Sequence, residues 1–171
     1  MVYAATSNWS LDSQHSKVEF FGTSNTHGFE GISQTMSGSL QADMDSRQFS
    51  LPVVIKIPVA GFKTGNDARD HAMQHMFETE KYPDIELHVQ KIEAQASGWY
   101  QLESELKIHN ISKSVLIEAD VLVHPDGIEV KGQKELTTGM FGMKAPVMLG
   151  LFRVQKEVRV AFDSYWKKNN G

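Results

Sequence analysis

Ile85, Leu87 and Val89 alternate with Glu86, His88 and Gln90, a period of two that gives a strand one buried face and one wet face. Val53, Ile55, Ile57 and Val59 repeat the pattern, as do Val18 with Phe20, Leu102 with Leu106 and Ile108, Val115 through Val123, Ile128 with Val130, and Val158, Val160 and Phe162. With the segments "WSL" and "MSGSLQA" the alternation predicts about eight or nine strands. Short turn signals separate them, "SG" at 97–98, "HNIS" at 109–112 and "HPDG" at 124–127, so successive strands pair antiparallel. A sheet of this many strands must curl, pair face to face or close. Closure removes exposed edges, and about eight strands leave room for one small ligand. The expected class is therefore all-β, a cup-shaped antiparallel barrel. A β-sandwich filled by its own side chains uses the same alternation and stays open at this point.

One stretch departs from the strand pattern. Residues 66 to about 77 read as a short helix, with Asn66 or Asp67 as N-cap and Ala72, Met73, Met76 and Phe77 along one stripe; Pro83 closes the excursion. Residues 136–152, "LTTGMFGMKAPVMLGLF", mix Met, Phe, Gly and Pro without periodicity, which predicts an irregular apolar loop. Met and Phe at both places fit either a lid and wall around an apolar ligand or a plug of the barrel's own side chains.

The chain's 171 residues suit one domain, and 40% hydrophobic content with 22% charge is ordinary globular composition. Seventeen basic and twenty-one acidic residues, spread along the chain, form no basic patch to neutralise phosphates, which argues against nucleic acid as a partner. The absence of cysteine excludes disulfides and thiolate chemistry. No apolar run is long enough to span a membrane as a helix. "MVYAATSNW" has the small-x-small look of a trimmed leader, and cloning residue is the other reading. The expected organisation is residues 1–8 as a disordered or processed remnant, 9–163 as the barrel domain and 164–171 as a C-terminal tail, with "WKKNNG" at 166–171 frayed.

His71 and His75 stand four apart on the expected helix, the spacing at which two imidazoles share a face and can bind Zn²⁺. Ala, Met and Gln lie between them, so the glutamate general base of a zincin is missing. A third ligand would have to come from Asp67, Asp70, Glu78 or further away. The expectation is no catalytic metal, with this pair as the one candidate. "DSQHS" at 12–16 lacks the setting of a serine nucleophile; it reads as a turn fixed by the Asp12 and Ser13 side chains, with His15 structural. His88, His109 and His124 are expected to be solvated. No catalytic residue is expected.

Several motifs in order resemble the YceI-like family. "WSLDSQHSKVEF" at 9–20 is similar to its opening, "TSNTHGFEG" at 23–31 to a His-x-Phe-x-Gly of one branch, and "KTGNDARD" and "EKYPDIEL" to the segments flanking the helix. "LKIHNISKSV" at 106–115 and "FGMKAPVMLGLFRVQKEVRVAFD" resemble a hairpin and the closing segment. Asn110 and Ser114 stand where Gly and Pro are common, Ala145 replaces a frequent Pro, and the helix is shorter than in many members. The resemblance implies a bacterial, lipocalin-like barrel with the helix near its mouth, periplasmic or secreted, with a cytoplasmic location left open. It also implies non-enzymatic binding, transport or storage of a polyisoprenoid or isoprenoid quinone, with a fatty acid or fatty amide as the alternative; that lipid is the expected ligand, and no cofactor is required. The expected lining is Val18, Phe20, Ile55, Ile57, Met73, Met76, Phe77, Ile85, Leu87, Leu106, Ile117, Phe141, Met143, Met148 and Phe152. A polar head would meet Lys144, Arg69 or His75 at the mouth. A homodimer would need only an apolar patch that sequence does not locate.

Overall fold

The computed structural model describes residues 6–25, 28–144, 147–148, 152–153 and 157–170. Strands β1 (Ser7–Leu11) and β2 (Lys17–Thr23) are followed by β3 (Gly28–Ser33), β4 (Ser37–Asp43), the two-residue β5 (Gln48–Phe49) and β6 (Val53–Pro58). Helix α1 (Asp67–Phe77) leads into β7 (Asp84–Ala94), β8 (Trp99–Ile108), β9 (Ile111–His124) and β10 (Gly127–Thr137). The short β11 (Val147–Met148) and β12 (Phe152–Arg153) precede β13 (Glu157–Lys168).

Pairing runs antiparallel from β1 through β4, β6, β7, β8, β9 and β10 to β13, and β13 returns to β1, so eight strands close a barrel. The filled sandwich is thereby overturned, since a sandwich has two sheets and open edges. Closure depends on a broken strand. β1 and β2 lie end to end along one edge of β13, with Leu11 opposite Trp166 and Lys17 opposite Asp163. The 3₁₀ turn Ser13–His15 fills the break.

The "DSQHS" segment builds that break through the Asp12 side chain as expected, with the Ser16 hydroxyl in the part expected of Ser13. The Asp12 carboxylate accepts from the Gln14 N–H (3.1 Å) and pairs with His15 (2.7 Å) and Lys167 (2.7 Å). The Ser16 hydroxyl donates to the Asp12 carbonyl (2.6 Å) and accepts from the Tyr165 N–H (2.8 Å), so the strand change leaves β13 paired. Hydrogen bonds to a charged acceptor are the stronger kind, and here they tie the turn to β13.

All three expected hairpin turns form. The turn between β8 and β9 needs left-handed backbone at His109 (φ 53°) and Asn110 (φ 61°), a conformation in which Asn is among the best-tolerated residues. Asn66 is the N-cap of α1, its side chain accepting from the Arg69 N–H.

Three sequence expectations are corrected. Residues 1–8 are not all remnant, because Ser7 and Asn8 pair with Ala42 and Gln41 of β4. The C-terminal tail from 164 belongs to the barrel and "WKKNNG" is not frayed at its start, because β13 continues to Lys168 and Trp166 is 4% exposed. Ser164 hides that continuation in the sequence by interrupting the apolar row. Its hydroxyl is satisfied inside, donating to the Val130 carbonyl and accepting from the Trp166 indole N–H (3.0 Å). The loop expected from 136 begins later and is not wholly irregular. Leu136 and Thr137 still pair with β13, Thr138–Phe141 is a 3₁₀ turn, and β11 pairs β12.

Candidate functional site

The inward rows of the barrel enclose a cavity of about 560 Å³, within the range of sites that hold a small organic ligand. Among the expected lining residues, β2 supplies Val18 and Phe20, β6 Ile55 and Ile57, β7 Ile85 and Leu87, β8 Leu106 and β9 Ile117. Met73, Met76 and Phe77 face it from α1, and Phe141 and Met143 from the segment after β10. Met148 and Phe152 fall in β11 and β12, and their side chains lie outside the described residues. The cavity extends the length of the barrel. At the α1 end it meets Thr64, Arg69, Thr137 and Thr138; at the other it meets Asp45, Arg47 and Tyr100, where Arg47 donates to the Tyr100 hydroxyl (3.3 Å).

Local packing shapes the α1 end. Phe20 stands opposite Gly31 across β2 and β3, and Phe29 opposite Gly22. A Cβ on Gly31 would lie 2.3 Å from the Phe20 ring, and one on Gly22 2.6 Å from Phe29. The two glycines let each ring lie flat across the neighbouring strand. Phe20 then packs against Phe62 (5.4 Å between centroids), and the Arg69 guanidinium sits 5.1 Å over Phe29, a cation–π geometry.

Helix α1 is held over this end at both termini. Asp70 is buried and accepts from both the N–H (3.0 Å) and the hydroxyl (2.6 Å) of Thr64, so the carboxylate is not left unpaired. At the other terminus Glu78 is hydrogen-bonded to His109. That bond corrects the expectation of a solvated His109, whose side chain is 17% exposed and packs edge-on against Tyr82. The contact joins residues 31 apart in sequence, beyond the reach of local pattern.

His71 and His75 are both exposed and lie outside the cavity lining. Among the described residues no group of three His, Asp or Glu forms a metal-ligating cluster. Of the expected third ligands, Asp70 and Glu78 are engaged as just described. Of the head-group candidates, Arg69 lines the cavity, while Lys144 and His75 are exposed and outside it. Sequence reasoning missed Phe29, Phe62 and Lys134 in the lining. Lys134 was within reach of the period-two rule, since it continues the row of Ile128 and Val130.

The family model described as YceI-like domain matches residues 9–165. The chain belongs to the YceI-like family. Among solved structures, this YceI-like protein is similar to Burkholderia cenocepacia BcnA, with TM-score 0.80 and 18% identity over 91% of this chain and 98% of that one. A polyisoprenoid binding domain from Saccharophagus degradans, implicated in plant cell wall breakdown, gives TM-score 0.76 and 17% identity over 94% and 98%. The Campylobacter jejuni YCEI protein gives 0.69 and 18% over 82% and 85%. At these identities the likeness is one of fold. No curated protein matches the sequence.

Proposed function

We propose that this YceI-like protein binds a long-chain amphiphilic lipid, a polyisoprenoid or isoprenoid quinone, without changing it covalently, and so transports or stores it. The observation that carries this reading is the apolar cavity running from α1 to the Arg47–Tyr100 end. Each CH₂ moved from water into such a wall contributes about 0.8 kcal/mol, so a tail of several isoprene units gains enough to bind without any polar contact. The methionines of α1 suit an irregular chain, because a thioether side chain adapts its shape at low cost. The name of the Saccharophagus domain supports the same ligand class.

Binding rather than catalysis fits the lining. Its hydroxyls, on Thr64, Tyr100, Thr137, Thr138 and Ser164, have no histidine beside them in the described wall to act as a base. The test is native mass spectrometry of the purified protein, followed by solvent extraction and identification of what is released. A stoichiometric long-chain lipid is the expected result, and a fatty acid or fatty amide in its place would change the ligand class. A bare protein mass that stays bare after addition of a polyprenyl lipid would overturn the reading.

A further inference from the structure

Lys134 faces the wrong way for an ordinary surface lysine. Along β10, Ile128, Val130 and Leu136 line the cavity, and Lys134 occupies the same row, half-buried and opposite Val160 of β13. The outward row of the strand shows what an ordinary lysine does there: Lys131 pairs with Glu129 (3.3 Å) and Asp163 (3.8 Å). Lys134 has no such partner among the described residues. An ammonium group drawn partly out of water without a counter-ion is unfavourable, and a bound anion would offset that cost.

Its surroundings give the anion a place. Lys134 is three residues from the end of β10, about 10 Å along the strand, so its stem can cover apolar wall while its charge points to the α1 end. Across β13 and β2 the register runs from Lys134 to Val160 and on to Phe20, and the Phe20 ring meets Phe29, beneath Arg69. Both lysine and arginine line the α1 end together with Thr137 and Thr138. Among the described lining residues the one carboxylate is Asp45, in the turn between β4 and β5 at the opposite end. The α1 end is therefore the cationic one, with Lys134 and Arg69, whereas at the opposite end Asp45 is offset by Arg47. The Thr138 hydroxyl, shielded in that wall, has no hydrogen-bond partner among the described residues.

We propose that Lys134 is the head-group contact, and that the barrel selects amphiphiles with an anionic head, phosphate or carboxylate, over neutral ones bearing the same tail. The inference rests on the lipid-binding reading and adds the orientation of the ligand: head at the α1 end, tail toward Tyr100.

The experiment measures affinity for geranylgeranyl phosphate against geranylgeraniol, and for palmitate against hexadecanol, in the full chain and in Lys134→Met and Lys134→Arg. The first pair tests phosphate and the second carboxylate, each at constant tail. A preference for the anion of about tenfold or more in the wild type is expected, from one charge-assisted contact. It should fall towards one in Lys134→Met, survive in Lys134→Arg, and shrink as salt rises. Equal affinity for anion and alcohol in both pairs, or a preference that persists in Lys134→Met, would overturn the role of Lys134 while leaving lipid binding intact. Failure of all four compounds to bind would remove the lipid reading and this inference with it.

Discussion

Glu78, the residue that ends helix α1, is hydrogen-bonded to His109, in the turn between β8 and β9. Both have left-handed backbone, at φ 51° and 53°, a geometry that a non-glycine residue adopts at some cost. The pair fastens the cavity's cover to the wall, and the Lys81 ammonium lies 3.3 Å from the same carboxylate.

This fastening is sensitive to acid. The His109 hydrogen bond first, and Lys81 after it, hold the Glu78 carboxyl below its ordinary value of 4.5. A group whose folded value is depressed stabilises the fold above its ordinary value, and the contribution is lost as pH falls through the depressed one. Hydrogen exchange of the α1 amides, taken relative to β8 amides at the same pH, should therefore accelerate as pH falls below the ordinary 4.5. In Glu78→Gln the relative rate should already be high at pH 6 and change little on acidification. An α1 that exchanges identically in both proteins would show that the pair does not hold the helix.

The Phe20–Gly31 pair makes a stability prediction. Gly31→Ala places a methyl 2.3 Å from the Phe20 ring, which must move, and overpacking of this kind costs about 1–3 kcal/mol. Denaturant unfolding should register that loss. Combining Gly31→Ala with Phe20→Leu should cost less than the sum of the two single changes, since they share one contact. Strict additivity would mean that the ring is not the obstacle.

Much of the barrel was legible because period-two alternation reports directly which face of a strand is buried. Val53–Ile57, Ile85–Val89 and Val115–Val123 are strands with the expected rows inward, and their turns carry residues suited to tight reversals. Where a polar residue takes an inward position, the same rule stops reading: Ser164 hid the end of β13 and Lys134 hid a charge in the lining. Closure was legible as an architecture but not as a register, because the pairing of β1 with β13 joins the two ends of the chain and leaves no local trace. His109 was misread for the same reason, its partner being supplied by the end of α1. The cavity itself follows from summed side-chain volumes across eight strands, which no single segment encodes.

Asp12 is where chain closure can be titrated. Hydrogen bonds from Lys167 and then His15 hold its carboxyl down to about 2, against an ordinary 3.8. Its contribution is complete above the ordinary value and disappears as pH falls towards 2. Asp12→Ala also removes the cap of the 3₁₀ turn, so at pH 6 a loss of about 1 kcal/mol is expected. The gap between wild type and variant, read from urea midpoints, should narrow between pH 4 and pH 2.5. A gap that stays constant would assign the loss to packing rather than to the charge.

A larger apolar residue in the wall separates an empty cavity from a packed core. Val121 lines the cavity from β9 and is only half-buried. In a filled interior Val121→Phe would cost about 1–3 kcal/mol through displaced neighbours. Projected into open space, the ring instead gains buried area while removing volume that a lipid tail would use. The expected outcome is a melting temperature equal to or above that of the wild type, with uptake of an apolar fluorescent dye reduced about tenfold. Met76→Glu tests the same wall from α1: it leaves the volume nearly unchanged but charges the surface, and should reduce dye uptake through desolvation of the carboxylate. If Val121→Phe lowered stability while leaving uptake unchanged, the space beside Val121 would not be where the ligand resides. If both variants bound dye normally, binding would have to occur outside the barrel.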